Sequence, residues 1–80
     1  MIFEELKEII CSEFDIEESE VVPEADLMFD FGMDSLDIVD LQMSVEETLE
    51  FEFPFDENID DFVKKIRTVG DLVKYIEENK

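Results

Sequence analysis

The sequence predicts an all-α fold: a small four-helix bundle with three principal helices, one short helix and a long first loop. Three observations carry this. Apolar residues recur with helical spacing in four stretches, about 2–14, 35–50, 56–66 and 69–78. Only two Gly and two Pro interrupt the 80 residues, so few positions break a helix. Hydrophobic residues make up 45% of the chain, eight Phe and one Tyr among them. That is enough to fill one modest core, and it argues against disorder despite 39% charged residues. A chain of this length is expected to form one domain, 1–80.

The first helix places Ile2, Leu6, Ile9, Ile10 and, a turn later, Phe14 on one face, with Glu4, Glu5, Lys7 and Glu8 on the other. Residues 15–33 lose that period and scatter Asp15, Ser19, Pro23, Asp26, Asp30 and Gly32 among Val, Leu and Phe. Connections this long tend to be functional or to pack as ordered loops, and Leu27, Phe29 and Phe31 predict an ordered one. Asp34 then opens a clean helix, spaced three residues from Asp37 as in a capping box. Ile38, Leu41, Val45 and Leu49 form one apolar line; Leu36, Val39 and Met43 form its neighbour. Gln42 and Ser44 are expected to face outward or sideways.

Past Phe51, Phe53 and Pro54, the short helix is signalled by Asp56 and Glu57 at its start, by Ile59, Phe62, Val63 and Ile66, and by Lys64 and Lys65 near its end. Both ends suit the helix dipole. Thr68 and Asp71 have the spacing of a second capping box, opening a last helix with Val69, Leu72, Val73 and Ile76 inward. The eight Phe are expected to be mostly core.

The charge bounds the partners. The formal net charge is −19, and residues 1–63 hold 22 acids against Lys7 alone. Nucleic acid is excluded as a partner, because phosphate binding needs a basic stripe, and an anionic membrane surface is excluded for the same reason. A basic protein partner would be steered toward the acidic part of the chain. The second helix is the place to look. If the 38/41/45/49 line faces the core, then Leu36, Val39 and Met43 stand partly exposed amid Asp34, Asp37, Asp40, Glu46 and Glu47. An apolar line rimmed by one sign of charge suits a docking helix.

Catalysis is limited by the residue inventory. With no His, no nucleophile–imidazole pair exists, and the single Cys11 forms neither an internal disulfide nor a thiolate zinc cluster. The chain is expected to be a non-enzyme, without a metal site, monomeric and cytoplasmic. A calcium-loop reading of the acids near Asp30 fails on spacing, since Ser35 falls where the turn Gly of that loop belongs.

Gly32-Met33-Asp34-Ser35-Leu36 is the most specific feature. Ser35 stands at the mouth of the charged helix, just after a Gly that permits a tight backbone. From this local pattern alone, a Ser at a helix start reads most often as a cap.

The run Asp30-Phe31-Gly32-Met33-Asp34-Ser35-Leu36-Asp37, followed by Val39-Asp40-Leu41 and an acidic helix ending before Phe53-Pro54, resembles the acyl carrier proteins. Thr68-Val69, Leu72 and Tyr75-Ile76 are similar to that family's last helix, so the resemblance spans almost the whole chain. It implies a covalent 4′-phosphopantetheine arm on Ser35, attached by a phosphopantetheinyl transferase and carrying acyl groups as thioesters. It implies docking of Asp34, Leu36, Asp37, Val39, Asp40, Met43, Glu46 and Glu47 on basic patches of the transferase and of acyl-processing enzymes. Fatty acid or specialised polyketide or other acyl biosynthesis is the implied setting. The segment from Pro54 to Thr68 is about five residues longer than is usual in the family, which leaves the pathway open. The rival reading is an unmodified acidic interaction module docking on a basic partner; a calcium sensor is the second.

Overall fold

The computed structural model describes residues 2–53 and 59–79, without the side chains of Ile59 and Asp61. Among the described residues four helices follow from the spacing above: α1, Ile2–Glu13; α2, Ser35–Leu49; α3, Ile59–Lys65; and α4, Val69–Asn79. A 3₁₀ turn at Glu18–Glu20 interrupts the first loop. Among the described residues there is no strand, only an isolated bridge between Asp26 and Thr68.

Helix ends differ from the expected ones by a residue, each for a local reason. Phe14 lies beyond α1, although its N–H still bonds the carbonyl of Ile10 at 3.0 Å. At the end of α2, Glu50 takes a left-handed conformation (φ 51°, ψ 49°) that stops the helix. Ile66 falls just outside α3 and bonds back to Phe62 at 2.8 Å. At the far end, α4 reaches Asn79, whose side-chain amide donates to the Tyr75 carbonyl at 2.9 Å. The expected start of the short helix at 56–58 lies outside the described residues.

The apolar faces meet in one core. Leu6, Ile9 and Ile10 of α1 are buried, as are Ile38, Leu41, Val45 and Leu49 of α2 and Val69, Leu72 and Ile76 of α4. Helix α1 packs on both α2 and α4, and α3 packs on α2. At the lower end of α2 the rings of Phe51, Phe53, Phe62 and Tyr75 gather edge-on and stacked, with centroids 4.9–6.3 Å apart. That range suits aromatic pairs. Phe51, Phe53 and Phe62 are buried and Phe3, Phe14 and Phe31 are half-buried, so most of the described Phe belong to the core.

Two expectations need correction. Gln42 does not face outward: it is only 8% exposed. It sits one position after Leu41 on the edge of the buried face, and no buried side-chain nitrogen or oxygen among the described residues lacks a hydrogen-bond partner. Its burial therefore strands no polar atom. Phe29 does not help to pack the first loop either, being 86% exposed.

The loop is ordered by other residues. Val21, Ala25, Leu27 and Met33 are buried in the core, and the backbone is fastened to the α3–α4 junction. Leu27 N–H bonds the Arg67 carbonyl at 2.8 Å, Val69 N–H bonds Ala25 at 2.9 Å and Gly70 N–H bonds Pro23 at 2.8 Å. Gly70 suits that close approach, because a Cβ would lie 3.0 Å from the Pro23 carbonyl oxygen. The loop thus fixes where α2 begins.

Candidate functional site

The turn into α2 is built from the chain outward. Gly32 has φ +68°, and a Cβ at that position would meet nothing within 4 Å. Glycine is favoured there by backbone conformation, not by crowding. Met33 is buried and its N–H bonds the Leu27 carbonyl at 3.2 Å, so the chain is pinned two residues before the helix. Asp34 is the N-cap. Its carboxylate accepts the Asp37 N–H at 2.9 Å, and the Asp37 carboxylate accepts the Asp34 N–H at 3.2 Å. The short Asp at the second place completes the box after all.

Ser35 is therefore the first residue of the helix and not its cap. The capping role that a serine at a helix start most often fills belongs to its neighbour. Ser35 is exposed, and its hydroxyl makes no hydrogen bond within the described residues. Such a hydroxyl is a weak nucleophile at neutral pH and needs a base. The sequence has no His, and no Lys or Arg lies between residues 8 and 63.

The site also has the exposure and the donors that a phosphodiester needs. The capping box satisfies the N–H groups of Asp34 and Asp37, which leaves those of Ser35 and Leu36 without intrahelical acceptors. These donors and the helix dipole favour an anion, while the carboxylates of Asp34 and Asp37 oppose it. The balance suits an exposed, covalently held phosphate better than a free one.

Along α2 the second apolar line is exposed, Leu36 at 74%, Val39 at 37% and Met43 at 59%. The five acids around it divide by what they touch. Asp40 and Glu47 project into water. Asp34 and Asp37 are tied to each other's amides. Glu46 is half-buried; its carboxylate accepts the Phe53 N–H at 3.0 Å, and its carbonyl receives the N–H groups of Glu50 and Phe51. Glu46 thus fastens the segment after α2 as well as lining the face.

Sequence reasoning missed the role of Asp26. Its Oδ1 accepts the N–H groups of Met28 and Phe29 at 2.9 and 2.8 Å, and its Oδ2 lies 3.7 Å from the Arg67 guanidinium. The Asp30 carboxylate in turn accepts the Asp26 N–H at 2.7 Å. The signal was present, since Asp readily bonds the amides just ahead of it in a turn. Nothing in the pattern announced that the turn would leave Phe29 in water. The α4 capping box has the expected geometry: Thr68 Oγ1 accepts the Asp71 N–H at 3.0 Å, and the Asp71 carboxylate accepts the Thr68 N–H at 3.2 Å. Cys11 is half-buried and unpaired, and burial, with Glu18 next, pushes its thiol up from the ordinary value.

Comparison with known proteins agrees with this geometry. A family model described as the phosphopantetheine attachment site matches residues 4–76. An acyl carrier protein of Helicobacter pylori is 42% identical over 79 residues, covering 99% of this chain and 95% of its own. One from Clostridium perfringens is 46% identical over 78 residues, covering 98% and 96%. The solved acyl carrier protein of Enterococcus faecalis superposes with a TM-score of 0.73 at 26% identity, over 99% of this chain and 94% of that one. On that match in sequence and fold, this chain belongs to the acyl carrier protein family, whose members are carriers, not catalysts, and hold 4′-phosphopantetheine covalently.

Proposed function

We propose that Ser35 is the attachment site and that the chain carries acyl intermediates of fatty acid or related acyl biosynthesis. The observation that carries this reading is the exposed, unbonded Ser35 hydroxyl on a turn fixed from both sides, by Met33 in the core and by the Asp34–Asp37 box. The arm, once attached, supplies a flexible chain ending in a thiol that holds an acyl group as a thioester. This chain's residues do the rest. The turn presents the oxygen, the Ser35 and Leu36 amides would be donors to the phosphate, and the base that takes the hydroxyl proton belongs to the transferase.

The family works with a phosphopantetheinyl transferase and with acyl-processing enzymes. For this chain, docking is proposed to run along α2. Leu36, Val39 and Met43 would enter apolar ground on the partner, and Asp34, Asp37, Asp40, Glu46 and Glu47 would meet its basic rim. Rim charges chiefly set on-rate and salt sensitivity, which suits a carrier that must leave each enzyme. The proposed setting is the cytosol, which an unpaired Cys11 favours.

Intact mass after incubation with coenzyme A and a broad-specificity transferase tests the assignment. One phosphopantetheine adduct is expected on the wild-type chain and none on Ser35→Ala. An adduct that survives the substitution would move the site elsewhere. No adduct on either would favour an unmodified interaction module.

A further inference from the structure

Outside the α2 face, the first loop, which leads to the serine, holds two large apolar residues in water: Phe29 is 86% exposed and Met28 47%. Single apolar residues on a surface need no explanation. These two are adjacent and firmly held. The Asp26 carboxylate accepts both their amides, the Asp26 carbonyl accepts the N–H of Asp30 at 2.9 Å and of Phe31 at 3.2 Å, and Asp30 caps the Asp26 N–H. The Phe29 ring is presented from a backbone already ordered, so little freedom remains to be lost on binding.

Its place relative to Ser35 follows from the chain. The bond from Met33 N–H to the Leu27 carbonyl folds the turn against the residue two before Ser35. With two residues from 27 to 29 and two from 33 to 35, the reach of the chain keeps Phe29 within about 20 Å of Ser35. A standard interface footprint is roughly 30 Å across. An interface of that width has room for both Ser35 and Phe29. Charge defines the pocket that would receive it, because residues 8–63 contain no Lys or Arg. A second copy of this chain, also at −19, would be repelled.

We infer that Phe29 is a second anchor for the phosphopantetheinyl transferase that modifies this chain, filling an apolar pocket with a basic rim on that enzyme. The inference rests on Ser35 as the attachment site. Phe29 touches no reacting atom; it determines how well this carrier is chosen.

The test is steady-state modification by the transferase of the same cell, at saturating coenzyme A, with wild type, Phe29→Ser and Phe29→Leu. Phe29→Ser lowers kcat/KM about tenfold, as loss of an aromatic anchor does. The change falls on KM, kcat is kept, and melting is unaltered. Phe29→Leu keeps an apolar plug and stays within about threefold of wild type. A Phe29→Ser rate within about twofold of wild type would overturn the inference. So would a loss matched by a lower melting temperature, which would make the ring a part of the loop's packing. Sedimentation showing a wild-type dimer that Phe29→Ser dissolves would also overturn it, by making a second copy the occupant. If wild type itself takes no adduct, the Ser35 reading fails and the anchor with it. If wild type and Phe29→Ser are modified equally well, only the anchor fails.

Discussion

Arg67 and Asp26 meet at 3.7 Å across the seam between the first loop and the α3–α4 junction, and the same aspartate holds the turn that leads toward the serine. The pair is unequal. The Arg67 side chain is 63% exposed and that of Asp26 only 19%, so solvent screens the ionic part and the hydrogen bonds to Met28 and Phe29 carry most of the effect. Asp26→Ala is expected to lower the free energy of unfolding by about 1–2 kcal/mol, as loss of a comparable side-chain cap does. Arg67→Gln should cost no more than about 0.5 kcal/mol. Urea unfolding of the two variants checks this. Equal losses would mean that the ion pair, not the turn, is what matters.

The acids of α2 should separate in the same way. Asp40 projects into water, and Asp40→Lys is expected to slow transferase modification several-fold, chiefly at low salt, at a cost of under about 0.5 kcal/mol in stability. Glu46→Lys removes the acceptor of the Phe53 N–H as well, so it should lose about 1 kcal/mol of stability besides. Modification rates over a salt series, read beside melting temperatures, distinguish the two. If Asp40→Lys leaves the rate unchanged at low salt, Asp40 lies outside the docking face.

These contrasts mark what the sequence could and could not disclose. Period 3.6 located the α2 face, because a helix turns spacing directly into direction: Leu41 at 0% and Met43 at 59% exposure are two residues apart. Capping boxes were legible because their partners lie three residues apart, as for Thr68 and Asp71. The first loop has no period, and its order depends on contacts with distant residues, such as Leu27 with Arg67 and Gly70 with Pro23. Spacing says nothing about those. For the same reason spacing puts Phe29 with the residues that order the loop, and puts Gln42 outward or sideways although its place beside Leu41 brings it under cover. Ser35 as an attachment site came from resemblance; its local pattern alone read as a cap.

Helix α2 ends under strain that can be relieved. Glu50 occupies φ 51°, the only non-glycine positive φ among the described residues, and places an acid at the negative end of the helix dipole. Both features are unfavourable, by about 1 kcal/mol for the conformation and a few tenths for the charge. Part of the gain is offset by the freedom glycine adds to the unfolded chain. Glu50→Gly should therefore stabilise by about 0.5–1 kcal/mol, read as a higher urea midpoint at unchanged slope. A lower midpoint would show that the Glu50 side chain makes a contact worth more than the strain.

Alkaline pH should lower the stability in two stages that belong to different groups. Burial, then the Glu18 carboxylate, raises the Cys11 thiol above 9.0, with Lys7 opposing, and burial raises the Tyr75 phenol above 10.0. For each, the folded chain keeps its proton to higher pH than the unfolded chain does. Their contribution is therefore fully present below the ordinary value and is lost as pH rises from that value through the folded one. Stability should hold to about pH 9, decline first through Cys11, and decline again above 10.0 through Tyr75. Melting temperature followed from neutral to strongly alkaline pH checks this when wild type, Cys11→Ala and Tyr75→Phe are compared. Cys11→Ala should flatten the first decline and leave the second, and Tyr75→Phe should do the reverse. Parallel curves for wild type and Cys11→Ala would show that the thiol titrates alike in folded and unfolded chains, and that its half-buried place on α1 costs the thiolate nothing.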